Sequence, residues 1–293
     1  MFAMTPPTIL VTGATGNVGG ALARELDALG IAFRALVRDP VRGAGLPERA
    51  QRVTGDLGDP AALRSAFAGI SKLFLVTPGI AIDHAAHAVA AAAAAGVQHI
   101  VHLSSFNVLG DPMRAMGRWH HQREQLIRAS AIPATFLRPG GFMTNALDWL
   151  PTIRDGGFVL DPIGPGRYAP IDPADIAAVA GLVLTQDGHQ GRAYVLTGDE
   201  LFTVAEQVRI LAGAIGSELE VRSAASAADA VRSRFPNGAP PALAAAILEG
   251  FELMRADTAG MRTDTVAQLL GRRPASFAAW CARHADAFRR PST

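Results

Sequence analysis

Three glycines near the N-terminus are spaced so that they could hold a phosphate-bearing ligand. Gly13, Gly16 and Gly19 lie in the stretch ILVTGATGNVGGAL, where a short apolar run gives way to a helical pattern. Glycine at a strand–helix turn permits a tight bend and a close backbone approach to a pyrophosphate, and the helix N-terminus offers N–H groups and a positive dipole end. Because the motif stands between a strand and a helix, it predicts a dinucleotide site; a simple tight turn is the alternative.

The end of the second predicted strand carries the residues that would choose between two dinucleotides. An acid at this position binds the ribose 2′-hydroxyl of NAD, whereas an arginine accommodates the 2′-phosphate of NADP. Arg38 comes first in LVRDP and Asp39 follows it, so both cofactors stay open and we favour NADPH over NADH. Arg34 and Arg42 are either further phosphate contacts or surface charges. Asp56, at the end of the third strand, is placed to accept from the adenine amino group or to cap the next helix.

These residues need a scaffold, and the sequence indicates a parallel sheet. Short apolar runs alternate with helical patterns: predicted strands are 8–14, 33–38, 52–57, 72–78, 99–105 and 134–140, and helices between them include 17–29, 82–95 and 118–130. Such alternation predicts right-handed β-α-β units, with helices covering both faces of the sheet. We therefore predict a doubly wound α/β fold of the Rossmann type with a smaller C-terminal substrate-side region.

The pattern loosens in the second half of the chain. The predicted elements are a helix at 142–156, extended pieces at 158–160 and 168–171, a helix at 172–184, a strand at 191–198, and helices from Thr203, about Ala225, Pro241 and Ser276. Asp172 is the expected N-cap of the helix that has Pro173 at its first position. We predict a cofactor-binding core at 1–155 and a mixed segment at 156–293, in which 172–198 completes the core.

Composition excludes several classes of function. Of 293 residues, 27 are Lys or Arg and 26 are Asp or Glu, which is no surplus for binding nucleic acid. The single cysteine, Cys281, excludes an internal disulfide and agrees with a reducing compartment. No secretion signal is evident, and the alanine-rich run at 88–97 is too short to span a bilayer. We expect a cytoplasmic monomer or homodimer that acts on a small molecule, without a membrane or nucleic-acid partner.

Eight segments carry a family resemblance. In chain order they are VTGATGNVG, LVRDP, GDL, LVTP, HLSS, TFLRPGGFMTN, GRAYVLTGDELFTVAEQVRILAGAIG and GRRPASFAAWCARHADAF. Together they resemble the atypical, NmrA-like branch of the short-chain dehydrogenase/reductase superfamily, which includes NAD(P)H:quinone, azo-dye and triphenylmethane reductases. The resemblance covers essentially the whole chain. The glycine motif identifies the superfamily and residues 120–145 point to the branch, but no segment fixes a substrate.

The resemblance implies cofactor contacts at the carboxyl ends of the strands, where open α/β sheets bind their ligands. The pyrophosphate would be bound by Thr12, Gly13, Thr15, Gly16, Asn17, Val18 and Gly19. Arg38 would meet the 2′-phosphate, and Asp56 and Leu57 the adenine. The nicotinamide end would be lined by Thr77, Pro78, Ser104, Ser105, His120, Pro139, Gly140, Gly141 and Phe142.

The chain departs from the superfamily at its usual proton donor. Ordinary members carry Tyr-x-x-x-Lys on the helix after the fifth strand. Counting back from Glu124, this chain has Met116 at the tyrosine position and His120 at the lysine position, and its two tyrosines, Tyr168 and Tyr194, lie outside that helix. Quinone-reductase-like members also place a histidine four residues before this glutamate, which supports the alignment.

The replacement gives His120 a predicted role in catalysis. We expect it to bind the ribose hydroxyls and to relay a proton. The alternative is a histidine satisfied at a helix–sheet contact. Ser104 and Ser105 are predicted to act beside the nicotinamide, or else to be turn residues at a strand end.

The missing tyrosine narrows the predicted chemistry. An electron-poor acceptor such as a quinone can take its proton from solvent, so positioning alone can support hydride transfer. We predict an NADPH-dependent reductase, with Phe142, Met143 and Trp149 as apolar pocket walls and Asn145 as a polar anchor. Two alternatives stay open: a non-catalytic NAD(P)-binding sensor of the NmrA-like type that acts through a protein partner, and a biosynthetic enzyme recruited to a specialised reduction.

Two pairs of histidines have spacings that bear on metal binding. His84 and His87 lie one turn apart on a predicted helix, a spacing that suits a metal. No carboxylate or cysteine partner stands near them in the sequence, so no metal is predicted. His99 and His102 are an odd number of residues apart in a strand and therefore face opposite sides of the sheet.

Overall fold

Nine short strands build the sheets in the described part of the protein. They are β1 (Ile9–Val11), β2 (Phe33–Val37), β3 (Ala50–Thr54), β4 (Lys72–Leu75), β5 (His99–Leu103), β6 (Ala134–Pro139), β7 (Phe158–Asp161), β8 (Ala193–Leu196) and β9 (Glu220–Ser223). The computed structural model describes residues 9–235, 238–258 and 260–289. Seven strands form the central sheet in the order β3-β2-β1-β4-β5-β6-β8, and β7 pairs with β9.

The topology of the central sheet places a ligand-binding crevice beside β1. The pairs β1–β2, β2–β3, β1–β4, β4–β5 and β5–β6 are all parallel. The chain runs outward from β1 to β3 and then returns past β1 to β4, so the strand order reverses next to β1. Open α/β sheets bind ligands at such a switch point, outside the carboxyl ends of the strands. The predicted doubly wound α/β fold is confirmed.

Eleven α-helices lie in the described part of the chain. They are α1 (Asn17–Ala28), α2 (Pro60–Phe67), α3 (Asp83–Ala95), α4 (Ala115–Ala129), α5 (Leu150–Gly156), α6 (Pro173–Thr185), α7 (Val204–Ile215), α8 (Ala227–Arg234), α9 (Pro241–Ala256), α10 (Thr265–Leu270) and α11 (Phe277–Phe288). Side-chain caps fix several of their starts: the carboxylate of Asp59 accepts from two N–H groups of α2, and Thr203 forms a capping box with Glu206 on α7. None of the described helices combines the length and apolar character of a membrane span.

The segment 142–156 differs from the single helix that the sequence predicted. It forms a 3₁₀ helix at Met143–Trp149 and then α5, which has Pro151 in its first turn. Proline has no N–H to donate to the preceding turn, so an α-helix cannot run through this position without losing a hydrogen bond. Strand β9 and helix α10 were not predicted. Three of the four residues of β9 are polar and exposed, and only Val221 is apolar and half-buried, so the strand is too short to show a clear alternation.

The chain divides into two compact units, each with its own apolar core. The first contains the described residues up to Val108, together with Gly117–Pro139 and Ile176–Val195; the second contains Leu109–Met116, Gly140–Asp175 and the described residues from Leu196 onward. Residues 140–155, which the sequence assigned to the cofactor-binding segment, lie in the second unit. The first core is built from β-strand residues and helices α2 and α3, and the second is built around Phe277, Trp280 and Phe288 of α11.

Candidate active site

The glycine loop between β1 and α1 makes a close approach that a side chain would prevent. Gly13 has a φ of +64°, a left-handed conformation that favours glycine. A Cβ atom added to Gly19 would lie 2.2 Å from the carbonyl oxygen of Gly13. The backbone N–H of Gly16 donates to the same oxygen over 2.9 Å. The first and third glycines of the motif therefore hold the start of α1 tightly against the end of β1.

The start of α1 is open to a ligand. Gly16 is the N-cap residue and no side chain caps the helix there, while Gly13, Thr15, Gly16 and Asn17 are exposed. Thr12 is fully buried, and its hydroxyl accepts from the N–H of Val76 over 2.8 Å at the end of β4. The side chain of Thr12 thus links two strands, and its backbone N–H also donates to the carbonyl oxygen of Phe74 over 3.0 Å. Val18 and Gly19 are buried against the sheet.

A cationic cavity lies where β2 ends. It has a volume of about 240 Å³ and is lined by Thr15, Arg38, Asp39 and Arg42. One carboxylate oxygen of Asp39 accepts from the N–H of Val41 over 2.8 Å, so this acid is partly engaged in its own turn. Two arginines and a hydroxyl around one cavity are suited to a phosphate group.

Arg34 takes no part in this cavity. Its guanidinium donates to the carbonyl oxygens of Ala66 and Ala68, each over 2.8 Å, at the end of α2. Arginine at a helix C-terminus satisfies carbonyl groups that have no partner within the helix. These bonds give Arg34 a structural role at the end of α2, and it is not among the residues that line the cavity.

Asp56 lies next to Arg38 at the end of the sheet. Its carboxylate is 3.8 Å from the guanidinium of Arg38 and accepts from the N–H of Gly58 over 2.6 Å. Both side chains of the ion pair are largely solvent-accessible. Leu57, the next residue, packs its side chain in the core of the first unit. Asp56 thus lies beside Arg38 of the cationic cavity, and the resemblance implies that it contacts the adenine.

At the carboxyl end of β5, Ser104 belongs to a buried polar cluster. The hydroxyl of Ser104 donates to Glu124 over 2.7 Å, and Arg138 donates to both oxygens of that carboxylate over 2.9 and 2.6 Å. Burial alone would raise the pKa of Glu124, but the hydrogen bonds from Arg138 and Ser104 lower it below its ordinary value. Because the proton of Ser104 is directed at Glu124, its oxygen is left to accept a hydrogen bond. Ser105 accepts from the backbone and side-chain amides of Asn107.

His120 stands four residues before Glu124 on α4, and it is electrically neutral at physiological pH. Burial lowers its pKa to about 4, assisted by the charge of Arg123 and opposed by that of Glu124. Its Nδ1 atom is buried and has no hydrogen-bond partner among the described residues. His102 on β5 is also buried, with a pKa of about 3 set by burial and by the neighbouring His120. A neutral imidazole is suited to binding hydroxyl groups rather than to acting as a strong acid.

Arg123 is a site residue that the sequence did not reveal. It is 2% exposed, and its guanidinium donates to the carbonyl oxygens of Gly79 over 2.6 Å and Ala81 over 3.3 Å. These two residues follow Thr77 and Pro78, the predicted contacts at the nicotinamide ribose. Arg123 therefore fixes the loop after β4. A charged residue in a polar helical stretch ordinarily indicates a solvent-facing side, so no local signal marked this one.

The remaining predicted residues, apart from buried Pro139 of the first unit, lie in the second. The N–H of Gly140 donates to Leu196 over 2.9 Å, and Phe142 forms a parallel bridge with Ile171. Met143 is 2% exposed within the second core, and Trp149 packs against that core, whereas Phe142 and Asn145 are half-buried. Their assignment as substrate contacts stays a prediction.

Tyr168 was not predicted as a site residue, yet it lies against the glycines of this segment. A Cβ atom added to Gly141 would be 3.0 Å from the ring of Tyr168, whose hydroxyl donates to Gln207 over 3.1 Å. Gly141 therefore allows the ring to pack on the backbone. In the described part of the chain, no group of three or more His, Cys, Asp or Glu residues is arranged to hold a metal ion.

Comparison with known proteins identifies the family. A family model described as NAD(P)H-binding matches residues 13–187. The chain is 41% identical over 285 residues to the (4-alkanoyl-5-oxo-2,5-dihydrofuran-3-yl)methyl phosphate reductase of Streptomyces griseus subsp. griseus, covering 96% of this chain and 99% of that one. It belongs to the NAD(P)H-binding family. It is also 35% identical over 283 residues to the NAD(P)H azoreductase of Xenophilus azovorans, covering 96% and 99% of the two chains.

A solved structure agrees with this membership. The NADPH-dependent quinone oxidoreductase of Escherichia coli, crystallised with NADPH, superposes with a TM-score of 0.82 at 28% identity, covering 94% of this chain and 99% of that one. The resemblance to NmrA-like atypical short-chain dehydrogenases/reductases is confirmed, as is the prediction of an NAD(P)H-dependent oxidoreductase.

The residues present fit the cofactor that the NAD(P)H-binding family takes. The helix start at Gly16 has no side-chain cap that would compete with a phosphate, and the close contact between Gly13 and Gly19 leaves that start exposed. This loop would hold the pyrophosphate. Ser104, with its oxygen available to accept, and neutral His120 would bind groups around the nicotinamide.

Proposed function

We propose that the protein is an NADPH-dependent reductase that delivers a hydride to an electron-poor, conjugated small molecule such as a quinone. The observation that carries this proposal is His120. It occupies the position of the superfamily's lysine on α4, with Met116 at the position of the tyrosine, and its pKa is about 4. At neutral pH it holds no proton beyond that of the neutral imidazole.

Among the described side chains that the first unit places at the nicotinamide end, Ser104, Glu124 and His120 offer no strong acid to a substrate. The hydroxyl proton of Ser104 is donated to Glu124, and Glu124 is ionised because its pKa lies below its ordinary value. An unactivated ketone needs a proton at its oxygen as hydride arrives, a contribution worth roughly 10²- to 10⁴-fold in rate. A conjugated acceptor spreads the arriving charge over its π system and can collect the proton from water afterwards. The site is therefore suited to the second kind of acceptor.

The names of the relatives support the same class of acceptor. An azo group, a quinone and a 5-oxo-2,5-dihydrofuran with an alkanoyl substituent all contain an electron-poor conjugated π bond. A bound nicotinamide cofactor supplies the hydride in such reductions. The acceptor then gains a hydride and a proton while NADPH is oxidised to NADP⁺. We propose this shared feature, and not one particular ring system, as what the protein recognises.

The cavity at the end of β2 favours NADPH over NADH. Arg38 and Arg42 supply two positive charges and Thr15 a hydroxyl, which suits the 2′-phosphate. Asp39, the residue that could have bound a ribose 2′-hydroxyl, accepts with one carboxylate oxygen from the backbone N–H of Val41. With two arginines and one aspartate, the cavity has a net positive charge, which favours the binding of an anion.

The decisive experiment measures NADPH oxidation, followed by the nicotinamide absorbance, against four acceptors. These are a p-quinone, an azo dye, an α,β-unsaturated lactone and an unactivated aliphatic ketone. We expect turnover with at least one of the three conjugated acceptors and none with the aliphatic ketone, and NADH should serve less well than NADPH.

Two outcomes would contradict the proposal. Rapid reduction of the aliphatic ketone, or oxidation of a simple secondary alcohol, would require a proton donor that the described site does not contain. Tight NADPH binding without turnover of any acceptor would instead favour the NmrA-like sensor that acts through a protein partner.

A further inference from the structure

Two histidines on α3 point at the strand ends of the first unit. His84 Nδ1 is 3.4 Å from the carbonyl oxygen of Pro78, and His87 Nδ1 is 3.0 Å from the carbonyl oxygen of Leu57. A carbonyl oxygen only accepts, so each Nδ1 carries the proton. This pair, whose spacing suits a metal, therefore ties α3 to the segments that follow β3 and β4.

The other side of the His84 ring faces the segment that holds Asp56. A Cβ atom added to Gly58 would lie 3.6 Å from His84 Nε2 and 3.0 Å from the Asp56 carboxylate. The two side chains thus flank the same small backbone position. A histidine ring whose one proton is on Nδ1 presents a lone pair at Nε2, and this atom can then accept a hydrogen bond.

Gly58 leaves space between the two acceptors. No side chain occupies the position between His84 Nε2 and Asp56, because glycine has no Cβ atom. Asp56 also lies 3.8 Å from Arg38, a residue of the cationic cavity. A nucleotide whose 2′-phosphate is in that cavity would carry its base toward these acceptors.

We propose that His84 is an adenine-binding residue. Its Nε2 atom accepts one hydrogen of the exocyclic amino group while the Asp56 carboxylate accepts the other. Adenine has two such hydrogens, whereas hypoxanthine has an oxo group at the same position. That oxygen can only accept, so it would face His84 Nε2 and the Asp56 carboxylate without a hydrogen to share. His87 contacts the backbone carbonyl of Leu57, the residue that follows Asp56, and so helps to hold this segment. The inference rests on the NAD(P)H-binding family alone and not on the proposed reductase activity.

Two substitutions separate base binding from simple bracing of the loop. In His84→Asn, the amide nitrogen takes the place of Nδ1 and keeps donating to Pro78, but no atom reaches the position of Nε2. In His84→Gln, the terminal amide reaches the position of Nε2, and its oxygen can accept from the amino group. His121→Asn on α4, a histidine that contacts Gln125, is the matched control.

The measurement is calorimetric binding of NADPH and of its hypoxanthine counterpart, without any acceptor. We expect the wild type and His121→Asn to prefer NADPH by about 10-fold or more, because one hydrogen bond contributes roughly 0.5–1.5 kcal/mol and two are lost. His84→Asn should reduce this preference by roughly 3- to 10-fold, and His84→Gln should keep most of it. A thermal melt without nucleotide checks that each variant is folded.

Three results would overturn the assignment. The first is an unchanged NADPH preference in His84→Asn. The second is an equal loss of affinity for both nucleotides in both His84 variants, which indicates bracing only. The third is a wild type that binds the two nucleotides equally well. Because no turnover is measured, these results are independent of whether the protein reduces a conjugated acceptor.

Discussion

The two ends of the strand edge in the first unit are built differently. At the ends of β2 and β3, Arg38 and Asp56 have side chains that are 67% and 46% exposed and 3.8 Å apart. At the ends of β5 and β6, Glu124 is 2% exposed and receives direct hydrogen bonds from Ser104 and Arg138. One end is a solvated pair of charges, and the other is a buried cluster in which every bond has a short, defined geometry.

The difference in burial suggests different tasks for the two ends, namely choosing the cofactor at one end and fixing its geometry at the other. Exposed charges are screened by water and salt, so they bind a charged group with modest energy and tolerate movement. A buried cluster cannot move without leaving charges unpaired, so it holds the groups attached to it in one arrangement. We infer that the end near Arg38 selects the cofactor, while the end near Glu124 fixes the geometry in which a hydride would be transferred.

The largest expected effect comes from breaking the buried cluster. Arg138→Met should lower the free energy of unfolding by about 3–5 kcal/mol, because it leaves the Glu124 carboxylate buried without its main partner. Arg128→Met is the control. It removes a guanidinium that is 44% exposed and 3.7 Å from the same carboxylate, and it should cost less than about 1 kcal/mol. Urea unfolding measures both, and equal costs would contradict the contrast between the two ends.

A smaller and more selective effect is expected at the exposed end. Arg38→Ala should weaken NADPH binding by tens of fold, since a hydrogen bond to a charged group contributes roughly 1.5–3 kcal/mol, and it should spare NADH. Arg64→Ala, an exposed arginine on α2 outside the cavity, should change neither affinity. Calorimetric titration with both nucleotides provides the test. If Arg38→Ala weakens both equally, Arg38 is a structural residue.

The smallest effect concerns the response of the buried end to pH. The folded pKa of His120 is about 4, below the value of about 6.5 for an unfolded histidine. As pH falls below 6.5, the unfolded chain binds a proton that the folded chain refuses, so stability is lost toward pH 4. His120→Asn should remove about 1 kcal/mol of this loss per pH unit between pH 6 and pH 5.

Denaturant unfolding at several pH values between 4.5 and 7 checks this prediction. His99 and His102 also have lowered pKa values, so part of the pH dependence should persist in the variant. Identical slopes for the wild type and His120→Asn would mean that His120 is charged or exposed in the folded protein.

The central sheet and the glycine loop could be predicted because their signals are local. Apolar runs such as KLFL, and turn residues at their ends, report a buried parallel strand wherever they occur. The cap at Asp59 and the capping box at Thr203 are likewise set by residues within one turn. The break at Pro151 was missed because the apolar pattern of a helix continues through it. The proline itself, which has no N–H to donate, is visible in the sequence.

The buried cluster could not be read in the same way. Arg123 and Glu124 lie in a polar stretch of α4, and their burial depends on Gly79 and on Arg138, which are distant in the sequence. The family resemblance supplied His120, yet only the packing of α4 shows that its pKa is lowered. The roles of Arg34 and Asp39 were ambiguous for a related reason, since each is decided by contacts with backbone groups that the sequence does not mark.

The bond from Arg123 to the loop after β4 also bears on how the chain acquires its structure during synthesis. The guanidinium reaches the carbonyl oxygen of Gly79 across a separation of 44 residues. Contacts between distant residues form only after the intervening chain is available, and domains fold largely from the N-terminal side as they emerge from the ribosome. The strands β1 to β4 are complete well before Arg123 has been added. The loop that follows them is therefore expected to become ordered late, when α4 emerges.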